Sequence, residues 1–234
     1  MNFDKSIDPS NMFESIYNFS SQMKEAKSIG EGIILKNSYK DVQNIVLCGM
    51  GGSASGGDLS KSLVKSSLNM PMFINRNYSL PNWVNSNSLV IASSYSGNTE
   101  ESLAAYHEAI SKGATVIGIT TGGKLASLLD DNNNDKVLIP AGLQPRAAVA
   151  FSFIPLLYLL EKLKATNDKV LSELDVAIEK IQSIKDVYGL DDEKNPTYKL
   201  AKDIYKTIPV IYGENESTAT IALRWKGQFC ENSK

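Results

Sequence analysis

The chain has 234 residues, 42% of them hydrophobic and 21% charged, with a net charge of −2. That length holds one large domain, or one domain and part of another, and the composition is that of an ordinary soluble globular protein. The near-neutral balance gives no electrostatic case for nucleic acid or an anionic membrane, so neither is expected as a partner. Two cysteines, Cys48 and Cys230, make no disulfide framework and fit a reducing compartment, hence the cytoplasm. No apolar run approaches the roughly 18 residues that a membrane span needs. The opening Met1-Asn2-Phe3-Asp4-Lys5 does not read as a signal peptide.

Residues 9 to about 29 read as one amphipathic helix, with Met12, Ile16, Phe19 and Met23 at helical spacing. Asn44-Ile45-Val46-Leu47-Cys48 is a buried-type strand followed by glycines and a helix to about Lys65. Met72-Phe73-Ile74 is a second strand and Leu89 to Ser93 a third, ahead of a helix over 100–112. A fourth strand, Thr115 to Ile119, a short helix over 125–129 and a fifth strand, Lys136 to Ile139, complete an alternating series. Such alternation implies a five-stranded parallel sheet covered on both faces, an α/β three-layer sandwich. Pro145 opens a long apolar helix to about Lys164, which Pro155 is expected to kink. An amphipathic helix over 169–188 and a polar linker over 189–195 follow. The pattern then restarts with a helix from Thr197, a strand over 208–213 and a helix over 217–230. Residues 1–190 thus read as one α/β domain with flanking helices, and 191–234 as the start of a second, incomplete one.

Three stretches carry chemistry. In Ser94-Tyr95-Ser96-Gly97-Asn98-Thr99, three hydroxyls gather where a strand meets a helix N-terminus. The free amides and dipole there favour an anion, and a phosphate suits a cluster that lacks Lys and Arg. Gly49-Met50-Gly51-Gly52-Ser53 lets a ligand approach the first strand's end closely. It also matches a dinucleotide fingerprint, and Arg76 after the second strand would suit the 2′-phosphate of NADP; that is an alternative. Arg146 adds a guanidinium after the fifth strand, at the edge where open parallel sheets bind ligands. By composition alone, Arg146 is a surface arginine and Glu231 a solvated carboxylate. His107, the one histidine, lies about 12 Å along its helix from the ligand end, out of reach of a substrate.

Together these segments, with Pro145-Arg146-Ala147-Ala148 and Arg224-Trp225-Lys226-Gly227-Gln228 … Glu231-Asn232-Ser233-Lys234, resemble the bifunctional phosphoglucose/phosphomannose isomerases of the sugar-isomerase (SIS) domain superfamily. The resemblance covers essentially the whole chain, and its closing glutamate motif is the specific part. It implies that Ser94, Ser96 and Thr99 hold a phosphorylated hexose, with Gly51, Gly52 and Ser53 lining the site. It further implies that Arg146 stabilises an enediolate, that Glu231 moves the proton between C1 and C2, and that no metal or cofactor takes part. Members of that family continue into a complete second SIS domain and supply a histidine across a homodimer interface and a later lysine. Neither residue has a match here. The chain is therefore expected to be a C-terminally truncated isomerase with impaired turnover; a non-catalytic SIS module that binds a sugar phosphate is the alternative.

Overall fold

The structure is a computed structural model, and it describes residues 5–166, 170–189, 193–215 and 218–232. Its centre is a five-stranded, all-parallel sheet of β1 (Asn44–Cys48), β2 (Met72–Asn75), β3 (Ser88–Ser94), β4 (Thr115–Thr120) and β5 (Asp135–Leu138), ordered β2-β1-β3-β4-β5. Period-two alternation sorts the side chains onto the two faces. Ile45, Leu47, Leu89, Ile91, Ile117 and Ile119 point to one core. Val46, Cys48, Val90, Ala92 and Val116 point to the other. Burial on both faces explains why β3, buried at every residue, is so continuously apolar.

Helices α2 (Phe19–Glu31), α3 (Gly51–Val64) and α6 (Val149–Lys162) cover the first face. Helices α4 (Glu100–Ser111) and α5 (Gly123–Asp131) cover the second through Ala105, Tyr106, Ala109, Leu125 and Leu129. The result is the expected three-layer sandwich. Helix α6 is buried along most of its length because α2 and α3 flank it while its inner side meets the sheet, which is why its sequence is apolar all round. Outside this layer, α7 (Leu174–Gly189) packs against α2.

Several elements depart from expectation. The single helix over 9–29 is two, α1 (Met12–Tyr17) and α2, because Asn18 leaves helical geometry and caps both. Pro145 starts a short 3-10 turn, Pro145–Ala147, rather than the α-helix, and α6 runs through Pro155 without ending. Residues 167–169, within or beside the expected amphipathic helix, and 190–192, within the expected linker, lie outside the described residues. The largest correction concerns the expected strand over 208–213. That segment joins α8 (Pro196–Ile204) to α9 (Ala219–Asn232) and has no strand structure. Ile208 and Tyr212 are each 91% exposed. A strand is defined by its partners, and this run pairs with none of the five described strands. Both cysteines are free thiols, and burial pushes that of Cys48 up to about 12. Among the described residues, no helix is long and apolar enough to cross a membrane.

The segment before β1 is fastened to the sheet's far edge by one carboxylate. Asp135, 5% exposed, accepts hydrogen bonds from the Lys36 amide at 3.0 Å, the Asn37 amide at 3.0 Å and the Tyr39 hydroxyl at 2.6 Å. Burial alone would raise this carboxyl, but the Tyr39 hydroxyl and the two amides hold it below the usual range. A lowered carboxyl contributes stability that is present above its unfolded pKa of about 4 and lost as pH falls through the folded value. Asp135→Asn should therefore cost about 1.5–3 kcal/mol at pH 7, with the gap narrowing toward pH 3. Urea unfolding at both pH values checks this, and an equal gap at each would refute it.

Candidate functional site

The strand order places β1 and β3 side by side, with β2 on one flank and β4 on the other. That reversal of direction opens a crevice at the carboxyl edge between the loops after β1 and β3. In the turn after β3, Ser94 Oγ lies 2.9 Å from Thr99 Oγ1 and accepts from the Gly97 amide at 3.1 Å. Ser96 Oγ accepts from the Asn98 amide at 3.2 Å. The turn is also tied to the loop after β4. Thr121 N–H donates to Tyr95 O at 3.1 Å, and Leu125 N–H to Gly97 O at 2.9 Å. Gly97 has φ +68°, and a Cβ there would stand 1.8 Å from Gly122 O. Only glycine fits both constraints.

Ser94 is buried and its hydroxyl is committed to the turn, whereas Ser96 is exposed and Thr99 half-buried. Thr99 is the N-cap residue of α4, yet its side chain makes no capping bond. The first amides of a helix have no partner within it, so this turn joins hydroxyls to donors that the helix itself leaves unused. Such an arrangement can hold an anion without a cationic side chain.

The second half of the site lies across the loop after β1. Gly51 (φ +48°) and Gly52 open α3. A Cβ on Gly52 would stand 2.5 Å from Pro145 O, so the start of α3 rests directly on the backbone of the Arg146 turn. Ser152 Oγ donates to Gly52 O at 3.0 Å and ties α6 to the same point. Against this, α9 docks through one polar face. Arg224 Nη2 and Gln228 Nε2 donate to Arg146 O at 3.0 and 3.4 Å, and Arg146 Nε donates to Asn232 Oδ1 at 2.8 Å. The spacing of 224, 228 and 232 is one helical face.

These contacts enclose a cleft of about 220 Å³ whose walls include Gly51, Gly52, Arg146, Arg224 and Glu231. Two of the residues singled out as catalytic, Arg146 and Glu231, thus share one cleft with two of the glycines. Ser53 does not line it. It is buried behind the loop, and Ser55 lines the cleft instead, because residues 51 and 55 share a helical face. The turn 94–99 stands beside this cleft at the neighbouring strand end rather than in its wall.

Arg76, offered above only for the 2′-phosphate of NADP, and Arg224, quoted only within the closing motif, both line the cleft. Arg76 is paired with Asp58 of α3, so its charge is already met within the protein. Burial pulls the Arg224 guanidinium down, and the nearby Glu231 carboxylate pushes it back up. His107 is exposed on α4, edge-on to Tyr106. Among the described residues, no group of three or more His, Cys, Asp or Glu side chains could hold a metal ion.

A family model described as SIS domain matches residues 38–153, which include the sheet, the glycine loop and the hydroxyl turn. A second, described as bacterial phospho-glucose isomerase C-terminal SIS domain, matches residues 193–234. The C-terminal domain of glucosamine-fructose-6-phosphate aminotransferase from Francisella tularensis shares the fold, with a TM-score of 0.58 at 16% identity over 87% of this chain and 59% of that one. The fold and the site therefore define a SIS-domain protein. The bifunctional phosphoglucose/phosphomannose isomerase of Caldicellulosiruptor bescii is 44% identical over 95% of this chain and 66% of its own length. That of Thermoplasma acidophilum is 36% identical over 90% of this chain and 63% of its own length. The chain belongs to the bifunctional phosphoglucose/phosphomannose isomerase family, and it spans just under two thirds of the length of these relatives.

The contact between Gly52 and Pro145 sets the spacing of the cleft. Gly52→Ala should force the start of α3 away from the Arg146 turn, because the obstructing atom is backbone and cannot rotate aside. A loss of about 1–3 kcal/mol in unfolding free energy is expected. Chemical denaturation measures it, and a variant as stable as wild type would show that the contact is not a constraint.

Proposed function

We propose that this protein is an aldose–ketose isomerase that interconverts glucose 6-phosphate or mannose 6-phosphate with fructose 6-phosphate. The observation that carries this reading is the meeting of Arg146 and Glu231 in one cleft beside Gly51 and Gly52. Isomerisation needs a base near C1 and C2 and a cation near the oxygen that gains charge. Its relatives named above, phosphoglucose/phosphomannose isomerases, support the same class of substrate.

In this reading the sugar's phosphate is held by the hydroxyls of Ser96 and Thr99 and the first amides of α4, with Ser94 fixing the turn. The glycine backbone at 51 and 52 lets the sugar lie close against the sheet edge. Glu231 removes the proton from C2 of the open-chain aldose and returns it at C1, so that the same atoms pass through an enediolate. Arg146 stabilises that species. Its Nε is held by Asn232, and its Nη groups have no partner among the described residues, which leaves both NH₂ groups to donate to the oxyanion. Glucose and mannose 6-phosphates differ at C2 alone, and that carbon is planar in the intermediate, so one carboxylate serves both epimers. Opening the pyranose ring is a separate acid–base step. His107, exposed on α4, is not positioned for it.

Two measurements test these assignments. Ser96→Ala should weaken binding of 6-phosphogluconate about ten- to a hundred-fold, the value of a hydrogen bond to a charged group. Unchanged affinity by calorimetry would place the phosphate elsewhere. Glu231→Gln keeps the shape of the side chain and removes the base, so deuterium exchange at C2 of glucose 6-phosphate should fall about 10²- to 10⁴-fold while binding is retained. Exchange at the wild-type rate would remove Glu231 from the mechanism.

A further inference from the structure

Tyr95 stands between Ser94 and Ser96 in the hydroxyl turn, yet its side chain leaves the turn altogether. Its half-buried ring packs against the core on the α6 side of the sheet. Its hydroxyl accepts a hydrogen bond from the Leu143 amide at 3.0 Å. Leu143 lies three residues before Arg146, in the loop that leads from β5 to the 3-10 turn Pro145–Ala147. The backbone of Tyr95 is fixed from another side, since its carbonyl accepts from Thr121 at the end of β4. One residue thus joins the loops after β3, β4 and β5.

We infer that Tyr95 is a positioning residue, whose hydroxyl couples occupancy of the phosphate turn to the placement of Arg146. The inference rests on the phosphate reading of turn 94–99 given above. Its physical basis is a short, stiff connection. The Ser94–Thr99 and Gly97–Ser94 bonds fix the turn's backbone, and a tyrosine has two side-chain torsions between that backbone and its hydroxyl. Ordering the turn by an anion therefore orders the ring, and through it the Leu143 amide. On the far side, the loop has only backbone between Leu143 and Arg146. Burial raises the Tyr95 phenol, with Leu143 opposing the shift, so the group stays neutral at physiological pH and its contact does not vary there. The bond is between a neutral hydroxyl and a backbone amide, and a contact of this kind accounts for about five- to tenfold in an equilibrium or a rate.

Tyr95→Phe isolates the hydroxyl, since the ring and its packing remain. Inorganic phosphate is titrated into ¹⁵N-labelled wild type and variant, and the backbone amides of residues 94–99, Leu143 and Arg146 are followed. In wild type, phosphate should shift both groups of signals. In the variant, residues 94–99 should respond with an affinity within about twofold of wild type, while the Leu143 and Arg146 response drops about fivefold or more. With fructose 6-phosphate as substrate, the variant's kcat should fall about five- to tenfold at a KM within about twofold, and its melting temperature should stay within a few degrees (about 3–5 °C). Equal responses of Leu143 and Arg146 in both proteins would overturn the inference. So would silence of those two residues in wild type while 94–99 respond, and that result would leave the phosphate reading standing. If residues 94–99 themselves ignore phosphate, the phosphate reading fails and the coupling with it.

Discussion

The carbonyl oxygen of Pro145 occupies the space that a side chain at residue 52 would need, 2.5 Å from an ideal Cβ position. This contact lets a helix start and a 3-10 turn touch backbone to backbone, and the geometry of the cleft depends on it. Gly52 O is held in turn by Ser152 of α6, so the spacing is set from the core outward. Arg146 therefore sits where α3, α6 and the loop after β5 meet. It is not a free arginine on a flexible loop. The helix that carries Glu231 then docks on the backbone of that same residue.

The two halves of the site are held with different firmness. The hydroxyl turn is braced by β3, the loop after β4 and the close approach of Gly97 to Gly122, and β3 beneath it is buried throughout. Helix α9 has no fully buried residue among those described. It is attached by hydrogen bonds to Arg146 and by packing against α3, while Leu223 and Trp225 are half-exposed or more. Segments with few buried apolar contacts open locally at low free energy. The turn at 94–99 is thus held by more of the core than α9 is.

Much of this was legible in the sequence because it obeys short-range rules. Five apolar runs alternating with helical patterns can become only a few things, and the sheet's two-face alternation follows from them. The hydroxyl turn announced itself by residue type at a strand-to-helix junction. Other features needed tertiary information. Residues 208–213 have the composition of a strand, but a strand needs a neighbouring strand, and composition cannot supply one. Ser55 rather than Ser53 lines the cleft because residues 51 and 55 lie on one helical face, a relation that order along the chain does not show. Glu231 is, by composition, a surface carboxylate, and nothing local to it announces a cleft. Its position follows from Arg224 and Gln228 reaching a carbonyl some eighty residues away in sequence, with separations of 78 and 82.

That long-range docking also gives an exposed glutamate a charged neighbour. A carboxylate at the end of a solvent-facing helix ordinarily has no preferred partner. Arg224 changes its surroundings without neutralising it. The guanidinium is half-buried and engaged through Nη2 with Arg146 O, yet close enough to Glu231 for the carboxylate to favour its charged form. The same guanidinium bonds to the backbone of the arginine on the cleft's other wall. Glu231 and Arg146 are therefore referenced to one another through Arg224. A displacement of α9 would weaken both arms of that connection at once, because the helix that carries Glu231 is also the helix that grips Arg146.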